Sequence, residues 1–81
     1  MMNCEQHDYI EIACLYHYPV ILGLVTGEQV KGVALDTARN DNGAECLQIR
    51  AGNEVRLLPL GSLVRMTAAQ PNPHFITVNF D

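Results

Sequence analysis

Two cysteines and two histidines near the N-terminus are of the types that bind zinc. Cys4, His7, Cys14 and His17 form the pattern Cys-x2-His twice, and thiolates and imidazoles are the usual ligands of structural zinc. If this segment is helical, His7 and Cys14 lie roughly 10 Å apart along the axis, too far to share one ion. We therefore predict no metal site and no cofactor. A small metal-binding module that uses Cys14 and His17 stays an alternative.

Groups suited to nucleophilic catalysis are few. Ser62 is the sole serine, and no pattern places a histidine beside it. Cys46 lies in a segment of alternating polar and apolar residues, where a cysteine is usually a small buried side chain. The glycines stand singly, so the sequence has no glycine-rich loop to surround a phosphate. Nothing in the sequence argues for an enzyme.

Three acidic residues recur at every third position early in the chain. Glu5, Asp8 and Glu11 precede the first lysine or arginine, Lys31. A helical projection gives two apolar stripes, Ile10, Ala13, Cys14 and His17 in one and Tyr9, Ile12 and Tyr16 in the other. If one stripe faces the core, the other exposes apolar surface inside an acidic rim, as in protein-binding sites. The alternative is that both stripes are buried and the acids only cap the helix.

A polar segment in the middle of the chain, Arg39-Asn40-Asp41-Asn42-Gly43, is a second candidate surface. Segments of this composition are most often solvated turns, but a turn that the scaffold positions beside the helix would supply a further contact. The candidate partner-binding residues are Glu5, Asp8, Tyr9, Glu11, Arg39, Asn40 and Asp41.

The acidic segment is predicted to form the one helix of the chain, over residues 8–18. Asp8 can accept hydrogen bonds from the free amides of the first turn, and Glu11 three residues later completes a capping box. Pro19 ends the helix, because the residue before a proline favours extended geometry. A helix of about three turns is unstable alone, so it must pack on the rest of the chain.

Beyond Pro19 the apolar residues recur with a period of two, which indicates strands. The predicted strands are 20–25, 29–35, 45–50, 55–60, 63–66 and 75–80, with a polar turn over 36–43. Pro59 indicates an edge or a bulge, since proline donates no ladder hydrogen bond. We predict a mainly β fold: a small antiparallel β-barrel or strongly bent sheet of about six strands, preceded by one N-terminal α-helix, in a single domain over residues 1–81.

The charge balance bears on the kind of partner. The 81 residues include nine acidic and five basic side chains, for a net charge of −4. Direct binding of nucleic acid needs a cationic surface that displaces counterions, so it is disfavoured here. The acidity favours a basic surface on another protein. An RNA-binding protein nevertheless stays an alternative.

Three cysteines, without a basic and apolar leader before them, suit a reducing cytoplasm. The apolar runs are too short to cross a membrane as a helix, which takes about 20 residues. Charged side chains on the alternating strands are expected to be solvated, which slightly favours a monomer.

The N-terminal run CEQHDYIEIAC, residues 4–14, together with His17, resembles the signature Cys-(Asp/Glu)-x-x-Asp-x-Leu-Glu-Leu-Ala-Cys of the Rof (YaeO) family of bacterial Rho-binding antiterminators. The resemblance continues through the alternating strands and covers nearly the whole chain, although only the N-terminal motif is specific. The sequence departs from the family pattern at Gln6, where an acid is common, at His7, where an aromatic residue is common, and at Tyr9, which is bulky for its position.

This resemblance implies an Sm-like barrel with an N-terminal helix. It also implies a function: members bind the N-terminal RNA-binding region of the termination factor Rho, block RNA capture and so reduce termination. Carried over by position, Glu5, Asp8 and Glu11 are the acidic contacts, and Tyr9 lies beside them.

Overall fold

The computed structural model describes residues 2–80. Its elements are α1 (Cys4–Leu15), β1 (Pro19–Leu24), β2 (Gln29–Arg39), β3 (Glu45–Ala51), β4 (Glu54–Pro59), a 3₁₀ turn (Leu60–Ser62), β5 (Leu63–Ala68) and β6 (Thr77–Asn79). The prediction of a mainly β fold with an N-terminal helix and about six strands is confirmed. Within these residues no helix is long and apolar enough to span a bilayer.

The helix begins four residues earlier than the sequence predicted. Its N-cap is Asn3, whose side chain accepts a hydrogen bond from the Gln6 amide (2.8 Å), while Gln6 Oε1 accepts one from the Asn3 amide (2.9 Å). This capping box replaces the predicted one, so the assignment of Asp8 and Glu11 as capping residues was wrong. Both acids lie in the body of the helix, where their carboxylates are not needed to satisfy free amides.

The helix also ends three residues before the predicted end. His17 adopts a left-handed conformation (φ 51°), and the amides of His17 and Tyr18 donate to the carbonyls of Cys14 (3.2 Å) and Ala13 (2.9 Å). This is the Schellman arrangement, in which a left-handed residue closes the last turn. His17 is therefore exposed and does not join the stripe of Ile10, Ala13 and Cys14, which is buried.

The six strands form one antiparallel sheet in the order β4-β3-β2-β1-β5-β6. Pro59 ends the edge strand β4, as its missing donor predicted. β2 continues to Arg39, although the sequence placed a turn from residue 36. The pairing register shifts between Ala34 and Asp36, and the ladder with β3 then resumes up to Arg39 opposite Glu45. A bulge of this kind breaks the sequence alternation without ending the strand.

The sheet is strongly bent. β5 lies four strand spacings from β4, about 19 Å in a flat sheet, yet Leu60–Ser62 alone join the two strands. A three-residue 3₁₀ turn rises only about 6 Å, so the sheet must curl to bring β4 and β5 together. β4 and β6 each pair with one neighbouring strand only, so the bent sheet has two edges.

The core lies between α1 and the concave side of this sheet. Ile10 and Ala13 are fully buried, and α1 packs chiefly against β2. The sheet residues of the same cluster include Val20, Leu22, Val30, Ala34, Leu47, Ile49 and Met66. Because one side of α1 is committed to the core, its opposite side faces solvent.

Candidate functional site

Three carboxylates lie on the solvent side of α1. Glu5, Asp8 and Glu11 are all exposed, and at 100° per residue they span an arc of about 120° opposite the buried stripe. The helix begins at Cys4, so the three acids occupy successive turns. The structure therefore brings together the acids that the sequence singled out.

Apolar side chains lie between these acids. Ile12 is half-buried, and Leu15 is 72% exposed. We call the five residues Glu5, Asp8, Glu11, Ile12 and Leu15 the outer face of α1. Two shallow grooves cross it and share Asp8 and Ile12: one of about 470 Å³ with Glu11 and Leu15, the other of about 360 Å³ with Glu5, Tyr9, Pro73 and His74. An apolar centre inside a charged rim is the anatomy of a protein-binding surface.

The charge of the outer face is not neutralised by nearby cations. Across residues 2–80, neither Glu5 nor Asp8 forms an ion pair, and Glu11 meets only His7 Nδ1, at 3.3 Å. The lysine and arginines, at positions 31, 39, 50, 56 and 65, all lie on strands. The outer face thus presents net negative charge to solvent.

Tyr9 forms a wall of the smaller groove rather than projecting from the outer face. It is half-buried, and its ring meets Phe75 edge-on, with centroids 6.0 Å apart and an interplanar angle of 78°. Such an edge-to-face pair anchors the ring. The predicted place of Tyr9 beside the acids agrees with this geometry.

Arg39, Asn40 and Asp41 lie apart from the outer face, at the end of β2 and in the following turn. The Arg39 guanidinium donates to the Gly43 carbonyl (2.7 Å), and Asn40 Oδ1 accepts from two amides of the turn. Asp41 is exposed. The turn lies near α1 through Glu45, which pairs with Arg39 across the ladder and contacts His7 Nε2 at 3.1 Å.

The residues of the zinc pattern do not converge. In the described part of the chain, no group of three or more His, Cys, Asp or Glu side chains is placed to hold a metal ion. Cys14 and His17 do line one groove, together with Glu11 and Asp36. Burial, with smaller contributions from Asp36 and Glu11, raises the pKa of the Cys14 thiol to about 11. The protonated thiol is a poor ligand at neutral pH.

A segment that no sequence pattern predicted faces α1 across the smaller groove. Pro73 and His74 line this groove, and Asn72 Oδ1 accepts the amides of His74 (2.8 Å) and Phe75 (2.9 Å), which fixes the segment. His74 Nδ1 is hydrogen-bonded to the Tyr18 hydroxyl at 2.8 Å. No local signal predicts this contact, since the two residues are 56 positions apart.

Together, the bent antiparallel sheet and the helix define a class of small, mainly β proteins with an exposed acidic face on an N-terminal helix. A family model described as "Modulator of Rho-dependent transcription termination (ROF)" matches residues 1–80. The chain belongs to this family, which is a family of transcription-termination modulators and not of enzymes.

Individual relatives agree with this assignment. Over 62 residues, the chain is 34% identical to the protein named rof in Escherichia coli strain K12 and, equally, to that of Shigella flexneri; the match covers 76% of this chain and 73% of each relative. A solved structure of YaeO from Vibrio cholerae O395, bound to magnesium, superposes with a TM-score of 0.90 at 44% identity and covers 91% of this chain and 96% of that one.

The three departures from the family pattern have structural roles here. Gln6 completes the capping box and donates to the Asn79 carbonyl at the edge strand β6 (2.9 Å). His7 bridges Glu11 and Glu45. Tyr9 packs on Phe75. None of the three changes removes a carboxylate from the outer face.

Proposed function

We propose that this protein reduces Rho-dependent transcription termination by binding the N-terminal RNA-binding region of Rho through the outer face of α1. The observation that carries the proposal is the set of three exposed carboxylates around Ile12 and Leu15, unpaired with lysine or arginine in residues 2–80. Membership of the ROF family supplies the termination system in which this face acts.

The mechanism is occlusion. A groove that holds RNA presents cations to phosphates, and a helix with three carboxylates on one side can occupy the same cations. Rho that is occupied in this way cannot capture nascent RNA. The five basic residues of this chain are spread over four strands, β2 to β5, which favours competition with RNA over direct RNA binding.

The remaining contacts of the proposal are smaller. Tyr9 lines the smaller groove beside the outer face, and the turn residues Arg39, Asn40 and Asp41 lie farther away, near Glu45 and His7; contacts of these residues with Rho would extend the interface. We propose that the protein acts as a monomer in the cytoplasm, where the free thiols of Cys4, Cys14 and Cys46 stay reduced.

Charge reversal with a matched control tests the proposal. Asp8→Lys places a cation at the centre of the outer face, and we expect the Kd for purified Rho, measured by calorimetry, to rise about tenfold or more. Glu54→Lys makes the same change in net charge at an exposed position of the edge strand β4 and should leave the Kd within about twofold. Equal effects of the two variants would exclude a specific role of α1.

A further inference from the structure

Three aromatic rings meet where α1 ends. The ring centroid of Tyr16 lies 5.3 Å from that of Tyr18 and 5.1 Å from that of His74, with interplanar angles of 20° and 23°. The hydrogen bond between Tyr18 and His74 joins the other two rings. Tyr16, the C-cap residue of α1, thus stacks on two rings that are hydrogen-bonded to each other.

Within residues 2–80, the two aromatic neighbours of Tyr16 lie on one side of its ring. The centroids of Tyr18 and His74 are only 5.9 Å apart, so both rings must lie on the same side of Tyr16; rings stacked on its two opposite sides would be at least about 7 Å apart. Tyr16 is nevertheless 54% exposed. The other side of the ring therefore presents an aromatic surface to solvent.

The surroundings of this ring are negative. Asp8, Ile12 and Tyr16 follow one another at intervals of four residues, so they run along one side of the helix. His74, on which Tyr16 stacks, lines the smaller groove together with Glu5 and Asp8. The face of an aromatic ring attracts cations, and a planar guanidinium also stacks on it. Nearby carboxylates favour such a cation and repel the phosphates that accompany a nucleic-acid base.

We propose that Tyr16, positioned by Tyr18 and His74, stacks against an arginine side chain of the protein partner. Glu5 and Asp8, which line the groove beside His74, supply the opposing charge, and the arginine-bearing segment lies along α1. This inference rests on the proposed function, because it names the kind of side chain that Rho would present to the end of α1, next to the outer face.

A peptide titration tests the stacking without Rho. Hexa-arginine and hexa-lysine carry equal charge but differ in their ability to stack. We expect hexa-arginine to shift the ring resonances of Tyr16 and His74 in NMR spectra and to bind roughly two- to fivefold more tightly than hexa-lysine. The Tyr16→Leu variant, which keeps an apolar side chain, should lose this preference. Val55→Ala, at an equally exposed position on β4 (54%), should keep it.

Three results of the titration would overturn the inference: equal affinity for the two peptides, a preference that survives in Tyr16→Leu, or stronger shifts of the same rings by a single-stranded hexanucleotide.

Measurements of Rho binding distinguish a failure of this inference from a failure of the proposed function. We expect Tyr16→Leu to weaken Rho binding roughly two- to fivefold. If Tyr16→Leu has no effect while Asp8→Lys weakens binding, the stacking is wrong and the proposed function stands. If Asp8→Lys has no effect, the proposed function fails, and the peptide titration still decides the stacking.

Discussion

At the scale of single residues, the cysteines differ most clearly in their environments. Cys4 is exposed, whereas Cys14 and Cys46 are buried. Burial raises the pKa of Cys14 to about 11, and the charges of Asp36 and Glu11 add to the effect. The reactive form of a cysteine is the thiolate, so the structure separates one accessible thiol from two protected ones.

Alkylation should reveal this separation. We expect iodoacetamide at about pH 8 to modify Cys4 in the folded protein and to leave Cys14 and Cys46 intact, because only Cys4 is exposed. In denaturant, all three thiols should react. Peptide mass spectrometry identifies the modified positions. Rapid modification of Cys14 in the folded protein would contradict its buried position.

The raised pKa of Cys14 also predicts how stability depends on pH. The folded protein holds the thiol proton more tightly than the unfolded chain does, so this contribution is present below the unfolded value of 9.0 and is lost as the pH rises toward about 11. We expect the urea midpoint to fall over this interval, and to fall less in Cys14→Ala. The pKa of Tyr18 is raised too, by burial and then by Tyr16, which leaves a smaller decline in the variant. An equal decline in both proteins would contradict the assignment.

At the scale of elements, the start of α1 is set by Asn3 and Gln6. Removing an N-cap side chain usually costs about 1 kcal/mol, so we expect Asn3→Ala to lower the free energy of unfolding in urea by that amount. Asp8→Ala should change it by less than about 0.5 kcal/mol, because Asp8 is an exposed residue within the helix. The opposite ranking would mean that the helix starts at Asp8.

The close approach of β2 to β3 depends on Gly32. A Cβ at this position would overlap the carbonyl oxygen of Arg50 and lie 2.8 Å from Ile49 Cγ1. We expect Gly32→Ala to destabilise the protein by about 1–3 kcal/mol, the usual range for overpacking. Gly61→Ala is the control, because a Cβ there has no atom within 4 Å. Thermal unfolding of both variants measures the difference. Lower chain entropy of the unfolded state should make Gly61→Ala neutral or slightly stabilising, so an equal loss of stability in both variants would contradict overpacking at Gly32.

The elements also show which features a sequence pattern can and cannot predict. The alternation of Glu45 to Arg50 predicted β3 to within one residue, because Leu47 and Ile49 lie on the buried face and Gln48 and Arg50 on the other. Cys46 is buried although it shares the face of Gln48 and Arg50. The start of α1 was missed, since both Asp8/Glu11 and Asn3/Gln6 fit a capping box locally. The pair Asn3/Gln6 differs from Asp8/Glu11 in that the Gln6 side chain also donates a hydrogen bond to the carbonyl of Asn79, 73 residues away.

The same reasoning applies to the candidate site. The carboxylates of the outer face were predictable, because three acids at intervals of three residues share one side of any helix that includes them. Pro73 and His74 were not predictable, since their place beside α1 depends on how the whole sheet bends. The later part of β2 was missed because its pairing with β3 crosses a bulge.

At the scale of the whole molecule, charge is unevenly distributed. The net charge is −4, with three acids on the outer face of α1 and the lysine and arginines on the strands. An interface built on this asymmetry should be sensitive to ionic strength. We expect affinity for Rho to fall steadily as sodium chloride rises from about 0.05 to 0.5 M, a range over which the Debye length shrinks severalfold. Salt-independent affinity would indicate an apolar interface.

The most direct test of the central claim, that the outer face of α1 blocks RNA capture, is displacement of a fluorescent single-stranded RNA from Rho, followed by anisotropy. We predict that the wild-type protein and Glu54→Lys displace the RNA at similar concentrations, and that Asp8→Lys requires about tenfold more or fails. Displacement by Asp8→Lys at the wild-type concentration, or a stable ternary complex of Rho, RNA and this protein, would contradict occlusion through α1.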